Sequence, residues 1–172
     1  MMIGTSKHIL RFILFVLLQG LILGQIEFGF GIHPMIYPMF ILLLPFETPA
    51  ALLLLIGFVT GVSIDFFMNT FGLHASCALV VAYMRPMLYA VFSPREGYDN
   101  IKSPTLFDYG GMWFISTAGI TVFTHHFLFF TLEVFKLSEF LMILQKTIFS
   151  SILTVLFIFL GQIVFFKKDK LI

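Results

Sequence analysis

The chain has 172 residues, 59% hydrophobic and only 11% charged, with a formal charge of +1 and a mean hydropathy of +1.03. A soluble domain carries roughly 25% charged residues, so these totals describe a polytopic membrane protein organised as one domain, 1–172. The near-zero net charge excludes the basic surface of a nucleic-acid binder, and the lone Cys77 excludes an intramolecular disulfide and a cysteine-based metal site.

The first element follows from MMIGTSKHILRFILFVLLQGLILG, a basic flank and a long apolar run. No small-residue cleavage site follows it, so it reads as a retained transmembrane helix, about 9–27. Crossing a bilayer takes about 20 residues. On that measure further spans fall at about 30–47, 49–69, 73–92, 111–134 and 141–166, giving an all-α protein of six transmembrane helices. The second span is interrupted by Pro34, Pro38 and Pro45 and is expected as a kinked helix, with a five-span alternative open. The loop 93–110 is rich in turn formers and too short for a domain. It is either an ordered connector or a docking surface, with Arg95 and Lys102 as its basic residues.

Orientation follows from the positive-inside rule. With both termini cytoplasmic, Lys7, Arg11, Arg85, Arg95, Lys102, Lys167, Lys168 and Lys170 lie inside, against Lys136 and Lys146 outside. Arg85 falls near the cytoplasmic edge and is expected to snorkel toward it.

The third span carries the main polar signal. Gly57, Gly61, Asp65 and Asn69 recur every four residues and so share one helix face. The small residues invite close approach of another helix, and the polar pair would point into the bundle. At 1.5 Å of rise per residue, Asp65 lies roughly 22 Å from the inner edge of its span, and His125 and His126 lie at about the same depth. Lys146 enters at this level from the other side. The expectation is a polar layer of Asp65, Asn69, His125 or His126, and Lys146, with Asp65 paired to Lys146 or a histidine. The alternative is that Asp65 faces an interfacial water pocket.

Catalytic motifs of soluble enzymes are absent from the sequence: it holds no P-loop, GxSxG, HExxH or GxGxxG in strand context. Adjacent residues on a helix diverge by about 100°, so His125 and His126 do not suit one metal ion. Ser63, Ser116 and Ser150 read as helix hydroxyls bonding their own backbone rather than nucleophiles. No cofactor or metal is expected, and no enzymatic activity.

The segment GFVTGVSIDFFMNTFGLHASCALVVAYMRP joins Gly-x3-Gly-x3-Asp to a polar turn and Gly72 at the head of the next helix. It resembles the signature of the MreD family of rod shape-determining membrane proteins. LLPFETP at 43–49, FSPREGYD at 92–99, SPT at 103–105 and HHFLFFTLEVF at 125–135 resemble the Bacteroidota branch. The resemblance implies a non-enzymatic component of the cell-elongation machinery in the bacterial inner membrane. The partners it implies are MreC, MreB, RodA and a class B penicillin-binding transpeptidase. It also implies a fold similar to the six-helix substrate-binding components of energy-coupling-factor vitamin transporters. The competing reading is a carrier or binding component for a vitamin-like small molecule, since fold does not imply function.

Overall fold

The computed structural model describes residues 2–26, 28–99 and 102–165, and every regular element among them is helical. Seven α-helices follow in chain order: α1 Met2–Leu17, α2 Pro38–Leu42, α3 Ala50–Met68, α4 Leu73–Val91, α5 Leu106–Tyr109, α6 Gly111–Val134 and α7 Phe140–Phe165. A π-turn, Leu18–Ile22, and a 3-10 turn, Leu23–Gln25, continue α1.

Among the described residues, four helical stretches are long and apolar enough to cross a membrane: Ser6–Gln25, Ala50–Met68, Gly111–Val134 and Phe140–Val164. The protein is therefore a membrane-embedded, multi-pass helical protein. These stretches overlie the first, third, fifth and sixth expected spans. The fourth is helical over α4 but less apolar, because it buries His74 and Arg85 in its length. The far end of the sixth expected span, and Lys167, Lys168 and Lys170, lie outside the described residues.

The second expected span is corrected. In place of a kinked helix, residues 32–36 are without regular structure and only five residues, α2, are helical. The prolines explain this. Each removes an amide donor and restricts its predecessor, so Pro34 keeps the chain extended and Pro38 opens α2 at its first position. Residues 34–44 are buried without exception, so a segment with only one short helix lies at the centre of the molecule.

This segment threads the other helices lengthwise. The His33 amide meets Ser150, the Met35 amide meets Thr154 one turn further along α7, and Phe46 packs on Trp113 near the start of α6. Around it, α3 and α4 pack as an antiparallel pair, α6 and α7 form a second pair, and α4 joins them through α6. One core cluster gathers Tyr37, Phe40, Ile64, Val81 and Phe129; another gathers Met39, Leu42, Phe114, Val122 and Ile158. The threaded segment contributes to both.

Candidate functional site

The α3–α4 contact is built by glycine. A Cβ on Gly61 would lie 2.6 Å from the Ala75 backbone nitrogen, and one on Gly57 would lie 3.0 Å from the Ala78 carbonyl oxygen. Neither neighbour can move without moving the helix. Only hydrogen at these positions lets the two backbones meet, which is the small-residue device of membrane packing.

Asp65 sits one turn beyond Gly61 and is 8% exposed. Its Oδ1 accepts from the Thr70 hydroxyl at 2.6 Å and the His74 amide at 3.0 Å, and its Oδ2 accepts from the Ala75 amide at 2.9 Å. The first amides of a helix have no partner within it. The N-cap residue of α4 is Gly72, at φ 94°, with no side chain to offer them. A carboxylate from the preceding helix takes that role, where the helix dipole also favours negative charge. Asn69 ends α3 in the left-handed conformation, φ 57°, and is exposed.

The expected pairing of Asp65 with Lys146 or a histidine is thus corrected: its oxygens are occupied by two amides and a hydroxyl. Lys146 lies elsewhere, 3.7 Å from Glu133 and 5.6 Å from the Phe130 ring centroid. Its stem lies across Gly31, where a Cβ would come within 2.5 Å of Lys146 Cε. Asn69 takes no place in a buried polar layer. His125 does join the Asp65 network, but at second hand. Tyr37 Oη lies 2.5 Å from His125 Nε2, 3.2 Å from the His74 carbonyl oxygen and 3.3 Å from His74 Nδ1. Tyr37, His74 and His125 are all fully buried. Among the described residues, His74 Nε2 and His125 Nδ1 have no hydrogen-bond partner.

His126 belongs to a second chain of bonds. Its Nδ1 donates to the Val122 carbonyl at 2.8 Å, and its Nε2 lies 3.2 Å from Thr154 Oγ1, which accepts from the Met35 amide at 3.0 Å. The two adjacent histidines therefore serve different partners. Among the described residues no group of three or more His, Cys, Asp or Glu side chains could hold a metal ion.

The non-helical segment needs these partners, because backbone polar groups cannot be left unpaired in a bilayer. Gln19, fully buried in the π-turn, donates to the Pro34 carbonyl at 3.1 Å and accepts from the Ile36 amide at 2.8 Å. Ser150 accepts from the His33 amide at 3.1 Å, so its hydroxyl serves a neighbouring segment rather than its own helix as expected. At the other end Arg85 is 1% exposed, not snorkelling. Its guanidinium donates to the carbonyls of Leu42, Leu44 and Pro45, closing the end of α2.

Phe46, Tyr89, Tyr98, Tyr109 and Trp113 form an aromatic cluster that holds Tyr98 and Tyr109 of the loop against α4 and α6. Tyr98 donates to the Tyr89 carbonyl at 2.8 Å and accepts from Trp113 Nε1 at 3.1 Å. Burial pushes the Tyr98 and Tyr109 hydroxyls above the usual tyrosine range, so both stay protonated at neutral pH. Arg95 and Lys102 line a cleft of about 500 Å³ in this loop, together with Glu96, Asp99 and Asp108.

Three exposed phenylalanines crown the opposite end. Phe30, Phe71 and Phe135 are 88%, 93% and 83% exposed and have φ of 53°, 47° and 46°. A bulky side chain in left-handed backbone is strained, at about 1–3 kcal/mol each, and such strain gathers at functional sites.

The residues that sequence reasoning missed are Tyr37, His74, Gln19 and Thr154. The signal for them was present: a proline-broken segment needs donors and acceptors, and these are the polar side chains in otherwise apolar runs. Comparison of the chain with protein-family models, curated proteins and solved structures finds no match.

Proposed function

We propose that this chain is a non-catalytic membrane scaffold of the MreD kind, part of the bacterial cell-elongation complex. In this reading it crosses the inner membrane six times, five times as a helix and once as the threaded segment 28–46. Both termini lie in the cytoplasm, and the architecture is similar to vitamin-transporter binding components. The observation that carries the reading is the joint between α3 and α4. The signature Gly57-x3-Gly61-x3-Asp65, with Gly72, forms one structural lock: the glycines bring the backbones together and the carboxylate caps the next helix. A motif whose polar group is fully engaged in holding the fold suits a scaffold better than an ion-coupling or catalytic role.

The outer crown of Phe30, Phe71 and Phe135 and the cleft holding Arg95 and Lys102 are the surfaces assigned to partners. The crown would meet MreC, and the cleft would meet cytoplasmic components such as MreB or anionic lipid. RodA and the class B transpeptidase would join through the same assembly. Copurification from native membranes tests this. MreC should accompany the wild-type chain and fall away when the three phenylalanines are replaced by glycine, a change that also relieves their strain. A vitamin-sized molecule in place of MreC would sink the scaffold reading. It would favour a carrier instead, a reading supported by the discontinuous crossing at 28–46, since broken spans often line transport sites.

A further inference from the structure

A lateral groove of about 550 Å³ opens between α1 and α7. Its walls are apolar, with Leu14 and Leu18 on one side and Phe157, Leu160 and Gly161 on the other, and Leu23 lines its far end. Lys7, Arg11 and Gln162 supply its polar groups. Gln162 also accepts from the Leu106 amide, which places the polar end of the groove beside the 93–110 loop.

We propose that this groove binds an anionic phospholipid, with the phosphate on Lys7 and Arg11 and an acyl chain along the apolar walls. Shape argues for a lipid over a partner's helix. The wall runs from Lys7 to Leu23, but its α-helix ends at Leu17 and gives way to a π-turn and a 3-10 turn. A partner helix packs its ridges along a regular wall, whereas an acyl chain follows an irregular one. Charge argues for an anionic headgroup, because two cations stand where the headgroup would lie, on the side that the distribution of Lys and Arg assigns to the cytoplasm. The inference is independent of the scaffold reading, which concerns the crown and the loop cleft.

The test uses the full chain, purified and delipidated in detergent, with native mass spectrometry after adding phosphatidylglycerol or phosphatidylcholine of matched acyl chains. Phosphatidylglycerol should be retained preferentially. Lys7→Gln should weaken its retention roughly 5-fold, with a further loss when Arg11→Gln is added. Gly161→Trp should abolish retention of either lipid. A Cβ at Gly161 meets no atom within 4 Å, so the added ring enters the groove and not the packed core. Equal retention of the two lipids, or retention unchanged by the charge variants, overturns the proposal. So does a photocrosslinker at Leu160 that captures a protein helix from native membranes instead of lipid. Capture of lipid there, with MreC bound or absent, supports it.

Discussion

At the scale of single residues, Asp65 shows how a charge can reside in an apolar bundle without an opposite charge. It accepts three hydrogen bonds, two of them from amides that a helix beginning at a glycine would otherwise leave unpaired. Asp65→Ala removes all three and leaves buried donors unsatisfied, at a cost of about 3 kcal/mol or more. Asp65→Asn keeps one good acceptor and should cost roughly half as much. Unfolding in detergent measures both, and equal stability of wild type and alanine variant would remove the capping role. Gly61 makes a second case. Gly61→Ala sets a methyl group against the Ala75 backbone and should destabilise by about 1–3 kcal/mol. Gly119→Ala adds a methyl group where nothing lies within 4 Å and should be neutral or slightly stabilising. If the two substitutions behave alike, the close approach of α3 and α4 is not what Gly61 provides.

At the scale of elements, the threaded segment depends on side chains from its neighbours. Gln19 bonds to both sides of Pro34–Ile36, and Thr154 holds the Met35 amide. Gln19→Leu should therefore speed hydrogen exchange at Ile36 far more than at amides within α3. Thr154→Val should do the same at Met35. Uniform acceleration along the chain would mean global destabilisation instead and would count against a local clamp. Here the limits of sequence reading are physical. The periodic apolar runs of α3, α6 and α7 are legible because each helix satisfies its own backbone, so local composition suffices. The Gly57–Gly61–Asp65 face is legible for the same reason, as a spacing within one helix. The partners of Asp65 are not, because they lie on the amides of α4, and backbone donors leave no mark in a sequence. Segment 32–37 fails for a related reason. Its structure rests on Gln19, Ser150, Thr154 and His125, drawn from three helices distant in the chain. Depth along the helix puts Arg85 at the edge; the carbonyls at the end of α2 hold it inside.

At the scale of the whole molecule, the path of residues 28–46 decides the topology. The segment begins near Lys146 at one end of α7 and reaches Trp113, at the start of α6, by Phe46. If it crosses the bilayer, Phe28 and Glu47 lie on opposite faces and the crossings number six; if it turns back, they share a face. Introduced cysteines separate these cases, and native Cys77 is fully buried and gives little background. In intact cells, a membrane-impermeant maleimide should label Phe28→Cys, Phe71→Cys and Lys136→Cys. It should reach Glu47→Cys and Glu96→Cys only after the membrane is opened. Labelling of Glu47→Cys in intact cells, with Glu96→Cys still protected, would show that the segment is re-entrant. The two outcomes differ in what the buried bonds of Gln19, Ser150 and Thr154 achieve. In the first they carry a largely non-helical segment through the hydrocarbon layer, buried within the bundle as residues 34–44 are. The continuous burial of those residues, from the level of Thr154 to that of Arg85, is the reason to expect the crossing.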